Sequence, residues 1–215
     1  MKYDIIMIGG GASGSTASLL ASMNNYSVLL IERQELERYK PCSGIYPQHN
    51  FDGFPELPSS VFERELFTMR CITPRNSGSL DAREFGMTLG KVILRSKYDK
   101  YILDESAKKG TVILENTVAR KIQVKDDGVR VIVKDANGME MEYRANILFI
   151  CTGVGADSLL KQVNLTAPKK IQAVIGEFES SEAHVEEQLS SGAYHFYMNR
   201  SLILACHNQK ISWAG

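Results

Sequence analysis

The sequence predicts an α/β fold that continues into a second, β-rich region, and two patterns support this class. Near the N-terminus, the apolar run at residues 3–8 ends in glycines and is followed by a helix-like stretch and a second apolar run. Residues 111–150 instead alternate between apolar and polar side chains around two Xaa-Gly turns. A strand–helix–strand unit indicates a parallel sheet, whereas alternation with tight turns indicates an antiparallel meander.

The N-terminal unit is predicted element by element. Residues 3–8 (YDIIMI) are rich in isoleucine and indicate a buried parallel strand. Small residues and leucines at helical spacing predict a helix from Ser15 to Met23. Residues 27–31 (SVLLI) predict a second buried strand, and Glu32 ends it. These elements make one βαβ unit.

An irregular segment follows at residues 33–60, which hold four of the six prolines. A loop of this length inside a compact domain usually has a functional role. Strand-like stretches come next at 67–73 and 86–94. Ser96 then begins a predicted helix that runs to about Lys109 before Gly110.

The meander is predicted over about residues 117–144, with turns at Asp127-Gly128 and Asn137-Gly138. Residues 145–151 (ANILFIC) predict a return to a buried strand, which ends at Thr152-Gly153. Further strands are indicated at 171–178 and 193–206. The predicted division is a first domain at 1–165 and part of a β-rich substrate domain at 166–215.

Composition excludes several classes of protein. The 25 basic and 25 acidic residues balance to zero net charge, which argues against nucleic-acid binding by a basic surface. No apolar run approaches the roughly 20 residues needed to cross a bilayer. We therefore expect a cytoplasmic protein, and peripheral contact with a membrane stays open. The four cysteines form no Cys-x-x-Cys pair and the four histidines have no metal spacing, so no metal site is expected.

Gly9, Gly11 and Gly14 fit the pattern G-x-G-x-x-G between the first strand and its helix. The first glycine permits a tight turn, the second lets a pyrophosphate approach the backbone, and the third lets the helix pack on the strand. Glu32, at the end of the next strand, is placed to bind the ribose hydroxyls of an adenosine. The pattern predicts a dinucleotide site, with NAD(P) or FAD as the ligand; a plain glycine turn is the structural alternative.

Three segments carry a resemblance to a known family. Residues 40–47 (KPCSGIYP) are similar to its Lys-Pro-Cys-Gly-Gly-x-x-Pro segment, and residues 92–99 (VILRSKYD) to its Arg-x-x-Phe-Asp segment. Thr152-Gly153 stands where that family has Asp-Gly. Together with the meander, this order resembles the geranylgeranyl reductases, within the flavoprotein group that also includes aromatic hydroxylases. The resemblance covers residues 1 to about 160.

The resemblance implies a Rossmann-like FAD-binding domain with an antiparallel meander as its crossover. It places Cys42 in the reaction chamber, as the candidate catalytic residue, although a buried structural cysteine is the commoner fate of a free thiol. Arg95 would contact the phosphate or ribitol, or would be an ordinary residue at a helix start. The implied cofactor-binding residues are Gly9, Gly11, Ser13, Gly14, Glu32, Arg33, Cys42, Ser43, Gly44, Arg95, Val118, Thr152 and Gly153.

The family activity would be reduction of C=C bonds in prenyl chains on lipids or lipid precursors. The implied partner is therefore a prenylated lipid or isoprenoid, and the electron donor stays open between NAD(P)H and ferredoxin. Two alternatives stay open as well. One is an FAD-dependent aromatic hydroxylase or halogenase-like monooxygenase, and the other is a non-catalytic remnant that binds FAD or an adenine nucleotide.

The sequence departs from the family pattern at three points. Ser43 replaces a glycine, and Thr152 replaces the aspartate of the Asp-Gly pair. The Gly-Asp segment that binds the flavin ribitol in the family is absent from the 215 residues. The sequence therefore suggests a C-terminally truncated member, and we expect this chain to bind FAD weakly and to show little prenyl reduction.

Overall fold

The computed structural model describes residues 2–47, 54, 56–170, 180–189, 192–198 and 203–207. The chain divides into two compact units: residues 1–40 with 96–173, and residues 41–95 with 174–215. The two units therefore alternate along the chain, whereas the sequence suggests two consecutive domains.

The first unit begins with the predicted βαβ arrangement. Its elements are β1 (Lys2–Ile8), α1 (Ala12–Met23) and β2 (Val28–Ile31). Residues 41–95, which hold β3 to β7, belong to the second unit. The first unit then continues with α2 (Arg95–Lys108), β8 (Val112–Leu114), β9 (Val118–Lys125), β10 (Gly128–Lys134), β11 (Glu140–Ile150) and α3 (Asp157–Gln162). The division between the units falls at the first residue of α2.

A six-stranded sheet organises the first unit in the order β8-β2-β1-β11-β10-β9. The first four of these strands run parallel, because β1 pairs in parallel with both β2 and β11 and β2 pairs in parallel with β8. β10 pairs antiparallel with its two neighbours, which makes the meander. This topology confirms the predicted α/β class with a parallel sheet and an antiparallel meander.

The two faces of the parallel strands are covered by different partners. On one face, alternate residues of β1 and β2 pack with the helices α1 and α2; the buried members include Ile5, Met7, Val28, Leu30 and Leu103. On the other face, the remaining residues pack with the valines of β10; the buried members include Ile6, Ile8, Leu29, Ile31, Val129, Val131 and Val133. The strands are apolar on both faces because both faces are covered.

Four buried hydroxyl groups link α1 to α2 and to the segment that follows it. The Ser106 hydroxyl donates to that of Ser18 at 2.9 Å and shares a 2.7 Å hydrogen bond with Thr111. Thr111 shares a second, 2.5 Å hydrogen bond with Ser22. Small hydroxyl side chains let the elements approach closely, and each group is satisfied by the next.

One predicted feature of the first unit is wrong in part. Residues 145–151 were expected to form a separate, buried strand, but β11 is one continuous strand, and two of its large side chains are exposed. Ile147 is 50% exposed and Phe149 44% exposed. They pair with Ile5 and Met7 of β1, which α1 and α2 cover. Within the described residues, those helices do not extend their cover to β11.

The second unit contains two small sheets. Its elements are β3 (Ile45–Pro47), β4 (Phe62–Leu66), β5 (Thr68–Ile72), β6 (Ser77–Asp81), β7 (Gly90–Ile93), α4 (Glu182–Leu189), β12 (Ala193–Met198) and β13 (Ile203–His207). The strand orders are β13-β12-β5-β6 and β3-β7-β4.

Sequence patterns identify this unit less well. The segment 33–60 is not wholly irregular, because β3 and a 3-10 turn at Ser59–Val61 lie in it. β3 has only three residues and ends in a proline, which conceals a strand from pattern analysis. The stretch 86–94 shortens to β7, and β4, β6 and α4 were not predicted. The strand expected at 171–178 lies outside the described residues.

Candidate functional site

The turn between β1 and α1 requires glycine at two positions. Gly9 has φ +106°, and a Cβ there would lie 2.6 Å from the carbonyl oxygen of Cys151. A Cβ on Gly14 would lie only 1.8 Å from the carbonyl oxygen of Gly9. The first glycine thus allows the turn to pass close to β11, and the last lets α1 lie against the turn.

The N-terminus of α1 is open to an anionic ligand. Gly11 is its N-cap residue, no side chain caps the helix, and no acidic residue lies in its first turn. The first N–H groups of a helix lack intrahelical acceptors and carry the positive end of the helix dipole. Gly11 is half-buried and Ser13 is exposed beside it. Such a terminus suits the diphosphate of a nucleotide.

Glu32 is buried against this turn, with 4% of the residue exposed. Its Oε2 accepts a hydrogen bond from the amide of Gly10 at 2.6 Å, and its Oε1 accepts one from the amide of Gln34 at 3.0 Å. The backbone of Glu32 is held as well, because its carbonyl accepts the amide of Thr117 at 2.9 Å. The structure therefore brings the predicted ribose-binding carboxylate to the glycine turn.

Arg38 is a part of the site that sequence reasoning missed. Its Nη2 donates to Oε2 of Glu32 at 3.2 Å, and only 11% of its side chain is exposed. It lies within the segment that the sequence presents as an irregular loop, where the pattern gives no sign of a buried ion pair. A basic residue six positions after the acid was the only available signal.

The end of β11 lies beside the same turn. The amide of Cys151 donates to the carbonyl oxygen of Ile8 at 2.7 Å. Thr152 follows, with a buried hydroxyl that has no hydrogen-bond partner among the described residues, and Gly153 has φ +58°. The carboxyl ends of parallel strands are where ligands bind in open α/β sheets. Thr152 and Gly153 are thus placed beside Gly9.

The thiol of Cys151 is half-buried. Burial raises its pKa, and a hydrogen bond from Ser13 opposes part of that rise. A Cβ on Gly14 would come 3.3 Å from the Cβ of Cys151. Cys151 therefore lies against the glycine turn and contacts the first turn of α1 through Ser13.

Two further predicted residues lie near the acid. Arg33 is exposed, and its guanidinium reaches within 4.0 Å of the position that a Cβ on Gly155 would occupy. Val118 is half-buried at the start of β9, directly after Thr117. Both residues belong to the unit that holds Gly9 to Gly14.

The remaining predicted residues belong to the second unit. Cys42 is half-buried and Ser43 exposed, whereas Gly44 is buried with φ +69°. The carbonyl of Gly44 accepts the amide of Ile93 at 2.7 Å, which joins the segment to β7. Arg95 is half-buried at the start of α2. Cys42, Ser43 and Gly44 thus lie in one segment, which Gly44 joins to β7.

Among the described residues, no cluster of three or more His, Cys, Asp or Glu side chains could hold a metal ion. In the same part of the chain, no helix combines the length and apolar character needed to cross a membrane.

Comparison with known proteins confirms the resemblance that the motifs carry. No family model matches the chain. It is 29% identical over 162 residues to a digeranylgeranylglycerophospholipid reductase of Methanococcus vannielii, covering 75% of this chain and 40% of that protein. It is 28% identical over 204 residues to the protein of the same name in Methanosarcina acetivorans, covering 89% and 50%. The chain thus spans about half, or less, of these relatives.

Solved structures show the same fold. A geranylgeranyl bacteriochlorophyll reductase-like protein of Thermoplasma acidophilum superposes with a TM-score of 0.73 at 19% identity, over 93% of this chain and 51% of that one. A myxobacterial chondrochloren halogenase, described as a variant of FAD-dependent halogenases, superposes with a TM-score of 0.54 at 21% identity, over 71% and 37%. The α/β fold is therefore shared by proteins of both types.

Proposed function

We propose that the protein is an FAD-dependent oxidoreductase that reduces C=C bonds of prenyl chains on lipids or lipid precursors. The observation that carries the proposal is the buried Glu32 carboxylate bound to the Gly10 amide beside the open N-terminus of α1. The names of the relatives supply the reaction and the substrate class.

The residues of the first unit fit the adenosine diphosphate half of FAD. At Gly9 and Gly14 the backbone leaves no room for a Cβ, so only glycine allows the tight turn that would present the N-terminus of α1 to a diphosphate. The dipole of α1 favours the negative charge of that diphosphate. Glu32 would accept a hydrogen bond from a ribose hydroxyl. Ser13, Arg33, Val118, Thr152 and Gly153 would contact the same half or the start of the flavin.

Bound FAD would supply the hydride that an isolated, poorly electrophilic alkene needs. The proposed task of the chain is to hold the prenyl substrate in a pocket without water, because a reduced flavin exposed to solvent loses its electrons to oxygen. We assign Cys42, Ser43, Gly44 and Arg95 to the flavin side of the site, on the family segments that they match. Gly44 supports this assignment, because its φ of +69° strongly favours the glycine that the family has there.

The proposal also includes the electron donor, the location of the substrate and the partners. The electrons would come from NAD(P)H or a ferredoxin. A prenylated lipid resides in a membrane, so a cytoplasmic protein would have to contact the membrane surface to reach it. We do not include nucleic acid among the partners, because the chain has no net positive charge.

The second candidate is an FAD-dependent halogenase or aromatic hydroxylase. The superposition on a halogenase favours it, since the glycine turn and meander belong to that fold as well. The two reactions differ in the molecule that reacts with the reduced flavin. A reductase delivers hydride to an alkene, whereas a monooxygenase directs the reduced flavin to oxygen.

A titration of the purified chain with FAD, followed by flavin fluorescence and absorbance, tests the cofactor. Incubation with dithionite-reduced FAD and a geranylgeranyl lipid, without oxygen, tests the reaction. We expect saturable but weak FAD binding and a low yield of products that gain two hydrogens for each reduced bond, detected by mass spectrometry. Oxygen consumption on addition of an aromatic acid, without lipid reduction, would support the second candidate. Absence of FAD binding would refute both.

The assignment of Cys42 has its own test. Cys42→Ala is expected to leave FAD affinity nearly unchanged and to lower alkene reduction. Cys71→Ala is the matched control, because Cys71 is another half-buried free thiol of the second unit. Equal rates in the two variants would remove Cys42 from the reaction chamber.

A further inference from the structure

We infer that Arg38 is a positioning residue that holds the Glu32 carboxylate in its ribose-binding orientation. The inference rests on the proposed nucleotide site and adds a residue to it. Arg38 and Glu32 form an ion pair with an Nη2–Oε2 distance of 3.2 Å, and their side chains are 11% and 5% exposed. Two charges so far removed from water depend on each other, because an unpaired buried charge is strongly destabilising.

The guanidinium is itself fixed in place by the segment that carries it. Its Nη1 donates to the carbonyl oxygen of Glu35 at 3.2 Å. The neighbouring amide of Leu36 donates to Oε2 of Glu115 at 2.9 Å, which ties the segment to the residues before β9. Arg38 is therefore presented to Glu32 by a supported backbone, and its charge is already in place before a ligand binds.

The bonds to Glu32 leave limited room for a ligand. A carboxylate offers about four acceptor positions. Gly10 and Arg38 use Oε2, and Gln34 uses Oε1. Three positions are occupied, and the remaining one is on Oε1. Fixing Oε2 on the turn therefore leaves Oε1 as the atom that can accept a ribose hydroxyl.

Binding of ADP and of 2′-deoxyADP to the full chain, measured by calorimetry, tests the inference. We expect Arg38→Met to weaken ADP binding by about tenfold or more, the scale of a hydrogen bond to a charged group. The loss should be smaller for 2′-deoxyADP, and Arg38→Lys should recover part of it. In a Glu32→Gln background, Arg38→Met should add little. Arg120→Met, which changes an exposed arginine of β9, is the control.

Equal losses for ADP and 2′-deoxyADP, or no rescue by lysine, would overturn the inference and leave Arg38 as a structural residue only. A second readout needs no nucleotide. Hydrogen exchange of the Gly10 amide should accelerate in Arg38→Met and stay unchanged in Arg120→Met, because the first variant releases the Gly10 acceptor. If the wild-type chain binds neither FAD nor ADP, the proposed function fails, and the Gly10 exchange still decides whether Arg38 holds the carboxylate.

Discussion

The carboxylate of Glu32 and the amide of Gly10 form a buried 2.6 Å hydrogen bond between the end of β2 and the turn after β1. These two residues lie 22 positions apart in the chain. The bond joins the two elements that a nucleotide would contact, the glycine turn for its diphosphate and the acid for its ribose. The acid is therefore part of the turn's own structure as well as a candidate ligand contact.

Replacement of Glu32 tests its role as a ligand contact. Glu32→Ala is expected to weaken FAD binding by about 1.5–3 kcal/mol, the range for a hydrogen bond to a charged group. Flavin fluorescence titration measures the dissociation constant. Glu35→Ala is the control, because Glu35 is an exposed acid of the same segment. An unchanged dissociation constant in Glu32→Ala would contradict the ribose assignment.

Substitution of Gly14 tests the contact between α1 and the turn. A Cβ at this position would lie 1.8 Å from the backbone oxygen of Gly9, which cannot move as a side chain could. We expect Gly14→Ala to lower the free energy of unfolding by about 2–3 kcal/mol, the upper range for overpacking. Urea denaturation followed by circular dichroism measures it.

Gly155→Ala is the matched control for this change. A Cβ on Gly155 would meet only the guanidinium of Arg33, at 4.0 Å. We expect its free energy of unfolding to change by less than about 1 kcal/mol. Equal effects of the two substitutions would show that close packing at Gly14 does not set the geometry of the turn.

The ion pair of Asp81 and Arg83 gives a pH-dependent prediction in the second unit. Hydrogen bonds from Arg83 lower the pKa of the Asp81 carboxyl to about 2. Because the pKa is lowered in the folded state, the ionised carboxyl stabilises the fold at pH values above about 4, the ordinary pKa of an aspartate. This stabilisation is lost as the pH falls through about 2. At pH 3, Asp81 should still be mostly ionised, whereas an ordinary aspartate is mostly protonated.

The carboxyl carbon shift of Asp81, followed by NMR between pH 6 and pH 3, measures this ionisation. In the native chain the signal should move little over that range. In Arg83→Gln the same signal should cover most of the shift that accompanies protonation, because the guanidinium donors are gone. A midpoint near 4 in the native chain would show that the ion pair does not persist in solution.

The sequence was sufficient for the parts of the fold that repeat a strong local pattern. Apolar runs predicted β1 and β2, and two Xaa-Gly turns predicted the hairpins of the meander. These features depend on residues close together in the chain. The exposure of Ile147 and Phe149 could not be predicted, because it depends on which helices cover β11.

The residues of the candidate site also differ in how far the sequence predicts them. Gly9, Gly14 and Glu32 follow a spaced pattern with a physical reason at each position, and the structure brings the three into one unit. Arg38 follows no pattern, because its role depends on how its segment folds back toward Glu32. The parts played by Cys42 and Arg95 remain predictions that rest on the family segments.

The thiol of Cys151 offers a final test of the site, because it lies against the glycine turn. Burial raises its pKa, and the hydrogen bond from Ser13 lowers it. Since the thiolate is the reactive form, Cys151 should react with a thiol reagent at pH 8 more slowly than an unstructured cysteine. Ser13→Ala should slow the reaction further, because it removes the group that stabilises the thiolate.

The rate is measured with Cys42, Cys71 and Cys206 replaced by serine, so that one thiol remains. Ser158→Ala is the control, because Ser158 is an exposed serine of α3 outside the turn. Saturating ADP should slow the modification of Cys151 in both the parent and the control, since a diphosphate at the N-terminus of α1 would cover Ser13 and the turn. A faster reaction in Ser13→Ala would contradict the hydrogen bond, and a rate that ADP does not change would contradict the proposed diphosphate position.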